Sequence, residues 1–394
     1  MMTGTRQSSD SVESNNSGRV NRRQFIRAGT AATIAGLAGC SGGSGGSGTE
    51  SSSGSSGSGT DSGGETVGST GDESVTLRVS VWSGTYADYF RETVKKRYEE
   101  ETGNTLKVIP GWNEILSKIK AAPADNPPYD VSITDGYFYH QGMADNLFME
   151  VNYDNVPNID NVYPYLKEFW TTKYGVPTDG SPMALIYNSD NIDWEPSNWQ
   201  DLEEAEKVGM EGGFYVYPLH VGAIAADQKT GAQEIYNESS HSAVFDQLEA
   251  FDVKAWYGSG AEIWELFRQG TVNIAQWYYG TALQEAQEQD NVNAVLPPTT
   301  TAYFDHYCPV RGTDKKAEAE ELLNFMLRPE VQTEWTNSAN LLMSTKGVEY
   351  SDLTSEDYPQ SNEEYKNTFA FPDWSYLSDY SSKFSDNFQK LKTS

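Results

Sequence analysis

The chain has 394 residues, and 57 acidic side chains against 28 basic ones give a formal net charge of −29. There is no excess of positive charge to displace phosphate counterions, which excludes a nucleic-acid partner. No run of about 18 apolar residues exists to cross a bilayer, and two cysteines, Cys40 and Cys308, cannot build a disulfide scaffold. What remains is an acidic chain long enough for two compact lobes.

The first residues are expected to be an address rather than part of the fold. Arg22-Arg23 stands just before a weakly apolar run from Ala28 to Leu37, and Leu37-Ala38-Gly39-Cys40 closes the segment. This order resembles a twin-arginine export signal over residues 1–39 that ends in a lipobox, with Cys40 as the lipidated residue. Residues 40–73 are dominated by Ser, Gly and Thr with a few acids, the composition of a flexible tether. Gly42-Gly43-Ser44-Gly45-Gly46 matches the glycine-framed serine of hydrolases in letters only, because no strand precedes it and no helix follows it. The spread of acidic residues along the chain resembles that of a secreted protein of a salt-loving (halophilic) archaeon. At about 1 M salt the Debye length is near 3 Å, so the net charge bears on the solvent more than on the sign of a ligand.

The domain proper, 74–394, opens with alternating apolar residues from Val75 to Trp82, the pattern of a strand. Phe90, Val94 and Tyr98 then recur at helical spacing up to Gly103. Thr105 to Ile109 predicts a second strand, Glu114 to Ala122 a short helix, and Tyr129 to Thr134 a third strand. This alternation points to an α/β fold with a parallel sheet. Further along, strands are expected at Ala184–Tyr187, Phe214–Tyr217 and Val272–Trp277. Helices are expected at Trp199–Val208, Ala243–Val253, Ala261–Gln269, Ala282–Gln289 and Ala317–Leu327, followed by a helical, Tyr-rich tail over 351–394.

Four stretches carry a family resemblance. They are Val81-Trp82-Ser83-Gly84-Thr85-Tyr86, Tyr129 through Tyr137, Gly270 through Trp277, and Tyr303-Phe304-Asp305-His306-Tyr307 followed by Leu323 through Glu330. In order and spacing the chain resembles an extracellular solute-binding protein of an ABC importer, of the spermidine/putrescine-binding (family 1) type. The resemblance implies a two-lobed periplasmic-binding-protein-like fold of type II topology, each lobe a sheet flanked by helices, with hinge-crossing strands between them. By that pattern lobe one is about 75–180 and 276–311, and lobe two about 181–275 and 312–394. It implies a monomer without catalysis or cofactor, tethered on the outer face of the cell membrane, that delivers a small-molecule ligand to ABC permease and ATPase subunits.

The expected ligand site follows from the same stretches. Trp82, Ser83, Tyr86, Tyr137, Trp277, Tyr278, Tyr303 and Phe304 fall at or near strand ends, where open parallel sheets place their ligands. Aromatic faces attract a cationic amine. Asp305 matches the place where polyamine-binding relatives set a carboxylate against an ammonium, and Asp135 stands where relatives often have Ser. Other carboxylates of the relatives are missing: the position three residues after Trp277 is Gly280, and the stretch from Tyr217 to Gly222 has no acidic pair. The expectation is therefore an organic cation smaller or less charged than spermidine, such as putrescine or thiamine.

Two other readings stand beside this one. Tyr278-Tyr279 resembles the tyrosine pair of ferric-ion-binding members of the wider superfamily, with His220, His306 or Asp305 as further donors. An exported hydrolase working through dispersed carboxylates is the alternative of another class. The four histidines (140, 220, 241 and 306) lack metal-ligand spacing. Cys308 before Pro309 is expected to be a buried thiol, and Asn237-Glu238-Ser239 is a glycosylation sequon.

Overall fold

The computed structural model describes residues 74–226 and 232–393. The expected export signal, tether and Cys40 lie outside them. Ten strands form one continuous sheet path: β1 (Thr76–Trp82), β2 (Thr105–Gly111), β3 (Val131–Thr134), β4 (Val176–Asn188), β5 (Val208–Glu211), β6 (Val253–Tyr257), β7 (Ile274–Tyr278), β8 (Val292–Val295), β9 (Ala302–Pro309) and β10 (Leu342–Met343). The order is β2-β1-β3-β9-β4-β7-β5-β6, with β8 and β10 both attached to β4.

β4 makes the architecture two-lobed. It is 13 residues long and buried at every position. Its first half, from Val176 to Pro182, pairs antiparallel with β9. Its second half, from Met183 to Tyr187, pairs antiparallel with β7. One strand therefore belongs to both halves of the sheet and crosses between them. β1, β2 and β3 are parallel neighbours in the first half, and β5 is parallel to β6 and β7 in the second. Helical turns covering 85–102 run without a break across β1, and helices 316–326 and 329–339 also pack on the first half. Helices 216–226 and 241–250 pack on each other in the second half, where a smaller apolar core gathers Ile186, Tyr257, Ile263, Phe267, Trp277 and Ala282. No helix among the described residues is long and apolar enough to cross a membrane.

Several elements depart from the sequence expectation. Residues 199–203 form only a short 3₁₀ turn, held by Asn198 and Asp201 in a reciprocal capping box. Residues 214–217 are not a strand: helix 216–226 begins there, and Pro218 sits in its first turn, where a missing N–H costs nothing. The helix expected to reach Val253 ends at Ala250, and Val253 opens β6. The lobe boundaries also shift. β7 and β8 pair with the second half of β4, so of residues 276–311 only the part from β9 onward joins the first half. Helices 316–326 and 329–339, expected with lobe two, contact β9 and the 85–102 helical segment.

Candidate functional site

Strand register builds the centre of the site. Asp179 on β4 lies directly opposite Asp305 on β9, and opposed residues of an antiparallel pair project from the same face, roughly 5 Å apart at Cβ. Both side chains are fully buried. Thr178 Oγ1 donates to Asp179 Oδ1 at 2.7 Å, and Tyr86 Oη donates to the same carboxylate at 3.1 and 3.2 Å. Tyr86 Oη also lies 3.1 Å from Tyr307 Oη. Neither oxygen of Asp305 has a full hydrogen bond among the described residues. The Trp82 side chain lies near enough to lower its pKa slightly, but burial and then the neighbouring Asp179 push that pKa well up. Burial raises Asp179 to about 7.

Two further carboxylates approach from other elements. Asp135 follows β3 and caps helix 136–144, accepting from the Phe138 N–H at 2.9 Å, and burial raises it to about 6. Glu211 ends β5 in the second half, with Oε2 unpartnered among the described residues, and burial raises it to about 8. Tyr303 feels the charge of Asp305, Asp179 and Asp135, while Tyr217 and Tyr278 feel both Asp135 and Glu211. The four carboxylates thus border one tyrosine-rich interior, Asp179 and Asp305 from within β4 and β9, Asp135 and Glu211 from the ends of β3 and β5. No Lys or Arg among the described residues acts on any of them. A buried carboxylate group of this size without a cation is costly, and what it can do chemically is hold positive charge.

The expected site residues divide by strand alternation. Tyr303 and Asp305 share the face of β9 that carries Tyr307. Phe304 points the other way, into the core against Trp170, Tyr365 and Phe371. On β7, Tyr278 meets Tyr303 and Tyr217. Trp277 lies in the second-half core, with Tyr257 at 5.5 Å between ring centroids. Trp82 stacks edge-on with Trp112 at 5.1 Å, and Ser83 Oγ is spent on the Gly111 carbonyl at 3.1 Å. Tyr137 packs on Phe214 and Trp374.

The tyrosine pair does not converge. Tyr279 Oη donates to Asp357 at 2.6 Å, while Tyr278 turns to Tyr217 and Tyr303. Nor are the two histidines available as donors beside it. His220 bonds the Val216 carbonyl and Tyr236 Oη inside the second half, and His306 stacks on Tyr139 at 4.5 Å. Among the described residues no group of three or more His, Cys, Asp or Glu is placed to hold a metal. Tyr278 and Tyr279 thus do not meet as a chelating pair in this arrangement.

A family model described as bacterial extracellular solute-binding protein matches residues 93–363, more than two thirds of the chain. The chain belongs to that family. Among curated relatives of this solute-binding protein is the putrescine-binding periplasmic protein PotF of Escherichia coli, 21% identical over 296 residues, which are 67% of this chain and 76% of PotF. Another, from Salmonella typhimurium, is named for periplasmic binding of 2-aminoethylphosphonate and is 23% identical over 251 residues, 60% of this chain and 68% of the relative. The solved structure of the spermidine/putrescine substrate-binding protein PotD of Streptococcus pneumoniae superposes with a TM-score of 0.69 at 19% identity, covering 81% of this chain and 99% of PotD. At that identity the likeness is one of fold, and it is the two-lobed fold expected from the sequence.

Asp179, Glu211, Tyr217 and Tyr307 of this solute-binding protein were not foreseen as site residues. Asp179 sits in Pro177-Thr178-Asp179-Gly180-Ser181-Pro182, which has the composition of a turn, and Glu211 precedes Gly212-Gly213. Tyr307 had a signal: it lies two residues from Asp305, on the same face of a strand already recognised.

Proposed function

We propose that this solute-binding protein captures a small organic cation between its lobes. The observation that carries this is the Asp305 carboxylate, buried beside Asp179 with neither oxygen fully hydrogen-bonded. An ammonium placed there supplies the positive charge that both carboxylates lack and the donors that Asp305 lacks. Tyr86, Tyr303 and Tyr307 border the pair, and phenol rings favour a cation over an anion. The names of the relatives agree in one chemical feature, since putrescine and 2-aminoethylphosphonate both end in a primary amine. The phosphonate end suits this chain poorly, because the rest of the interior holds Asp135 and Glu211 rather than cations.

In the cell, the proposed role is delivery of that cation to an ABC permease, with Cys40 as a lipid anchor after twin-arginine export. The protein itself catalyses nothing in this reading. The test is isothermal titration of the full chain with putrescine, spermidine, thiamine, glycine betaine and 2-aminoethylphosphonate. Saturable binding of an amine or quaternary cation, lost in Asp305→Asn, supports the reading. Binding of the phosphonate alone, or amine binding indifferent to Asp305→Asn, overturns it.

A further inference from the structure

The segment after residue 363 lies beyond the family match and makes contacts that the rest of the chain does not. It first runs beside the passage between β8 and β9: Thr300 N–H donates to the Thr368 carbonyl at 2.8 Å, and Ala370 N–H to the Thr300 carbonyl at 2.8 Å. Phe371 is still in the first-half core, against Trp170 and Phe304. Two residues later the Asp373 N–H donates to Tyr236 Oη at 2.8 Å, and Tyr236 is tied to His220 inside the second half. The chain then continues as helix 374–393, whose first turn also meets helix 136–144 of the first half and whose later turns are fastened to the second half. Phe384 packs on His241, Phe388 packs on Trp256, and Lys392 Nζ donates to the Gly212 carbonyl at 2.8 Å. Residues 369–373 are thus a third passage between the halves, beside β4 and the β8–β9 connection.

The first residue of that helix reaches back. Trp374 is 6% exposed, and its indole is seated on the backbone of Gly136 in the first half. A Cβ at Gly136 would fall 2.1 Å from Trp374 Nε1, so no other residue leaves room for the ring. Tyr137 of the first half, Phe214 of the second and Trp374 form a triangle, with centroid separations of 5.9 Å for Tyr137–Phe214, 5.6 Å for Tyr137–Trp374 and 6.1 Å for Phe214–Trp374. The seat adjoins Asp135, one of the four interior carboxylates.

We propose that Trp374 is a latch between the lobes: the C-terminal helix, riding on the second half, holds the first half closed through the Gly136 seat. The residue positions the lobes and touches no ligand. A lobe held by its hinge strands alone would open with only those strands bending. With the latch, opening also requires pulling the indole out of an apolar seat, at a cost on the order of that of exposing a large buried side chain. Among the described residues the lobes also meet through the Tyr137–Phe214 and Tyr278–Tyr303 ring contacts and through a polar contact in which Gln284 Nε2 donates to Tyr89 Oη at 3.3 Å.

The test needs no ligand, so its failure is distinct from failure of the cation reading. Amide hydrogen exchange and small-angle X-ray scattering are measured on the ligand-free full chain and on Trp374→Ala. The expected result is exchange on the order of tenfold faster at 136–138 and 212–215, which lie in different lobes, with unchanged protection of β1 and β7 and a larger radius of gyration. Gly136→Ala, which keeps the tryptophan but fills its seat, should do the same. Faster exchange confined to 374–393 would mean that the helix merely frays, and would overturn the proposal, as would unchanged exchange in both variants. Should Trp374→Ala fail to fold, Gly136→Ala decides alone by the same readouts.

Discussion

Asp179 and Asp305 stand directly opposite each other on the antiparallel pair β4 and β9, both buried, with no Lys or Arg among the described residues acting on either. Two carboxylates in that arrangement cannot both ionise cheaply. Thr178 and Tyr86 donate to Asp179 and so favour the charge there, which leaves the proton on Asp305. A cation entering between them reverses the balance and releases that proton.

Binding of an organic cation should therefore strengthen as pH rises through about 7, where Asp179 ionises, and further toward the higher pKa of Asp305. The proton released on binding makes the observed titration enthalpy depend on the ionisation enthalpy of the buffer. Titration in two buffers of unlike ionisation enthalpy at pH 6.5 checks this. Equal heats in both would mean that the pair is already ionised before the ligand arrives.

The ligand-free protein should lose stability between about pH 6.5 and pH 8. Asp179 and Glu211 have folded-state pKa values raised to about 7 and about 8, so the folded chain holds more protons than the unfolded one in that window, and stability falls with rising pH. The same excess of folded-state protons persists below about pH 6.5, down to the ordinary carboxylate range near 4, and there it is only partly offset by two histidines. His220, lowered by burial to about 4, and His306, lowered to about 3, then bind fewer protons folded than unfolded and act in the opposite sense. Thermal melts without ligand, across pH 5 to 8, read both regimes.

Asp305→Asn should move affinity and stability in opposite directions. Cation affinity is expected to fall at least tenfold, about 1.4 kcal/mol. The melting temperature of the ligand-free protein at pH 8 should rise, because folding no longer has to protonate a carboxyl that is ionised in the unfolded chain at that pH. A parallel fall in both quantities would point to a purely structural side chain.

Trp277→Ala and Phe304→Ala should act through stability. Both side chains are buried in core clusters, Trp277 with Tyr257 and Phe304 with Trp170 and Phe371. Truncation of such a residue costs about 3–5 kcal/mol. The folded fraction of Phe304→Ala should retain its cation affinity, measured by titration at reduced temperature.

Gly180→Ala should damage the site without touching a carboxylate. A Cβ there would lie 2.0 Å from the Tyr303 carbonyl, on the partner strand. Separating the strands by even a few tenths of an ångström disturbs the Asp179–Asp305 register. Loss of both cation affinity and melting temperature is expected, in contrast to the opposed changes in Asp305→Asn.

The strongly patterned parts of the fold were legible in the sequence. β1 alternates cleanly, and Phe90, Val94 and Tyr98 are all fully buried on one face of the 85–102 helical segment. The failures have physical causes. The first half of β4 holds Pro177, Gly180 and Pro182, turn formers that a strand tolerates here because its neighbours fix it from both sides. Helix 216–226 is buried at ten of its eleven positions, so it lacks the amphipathic period by which a surface helix is recognised. The site suffered for the same reason, since Asp179 lies within the half of β4 that the sequence pattern does not reveal. Asp305 was found through a resemblance, while its partner became visible only once the strands were set in register.

The double membership of β4 also governs when the chain can fold. The first half of the sheet places β9, residues 302–309, between β3 and β4, while the second half needs β7 beside the other end of the same strand. A ribosome that has released only the first 300 residues has made the strands of the second half but not a complete first half: β3 and the first part of β4 both present unpaired edges. The sheet is therefore assembled from distant pieces after most of synthesis is over, a topology that slows folding and leaves edges exposed to other chains in the meantime. The first half cannot be produced as a contiguous fragment of the sequence.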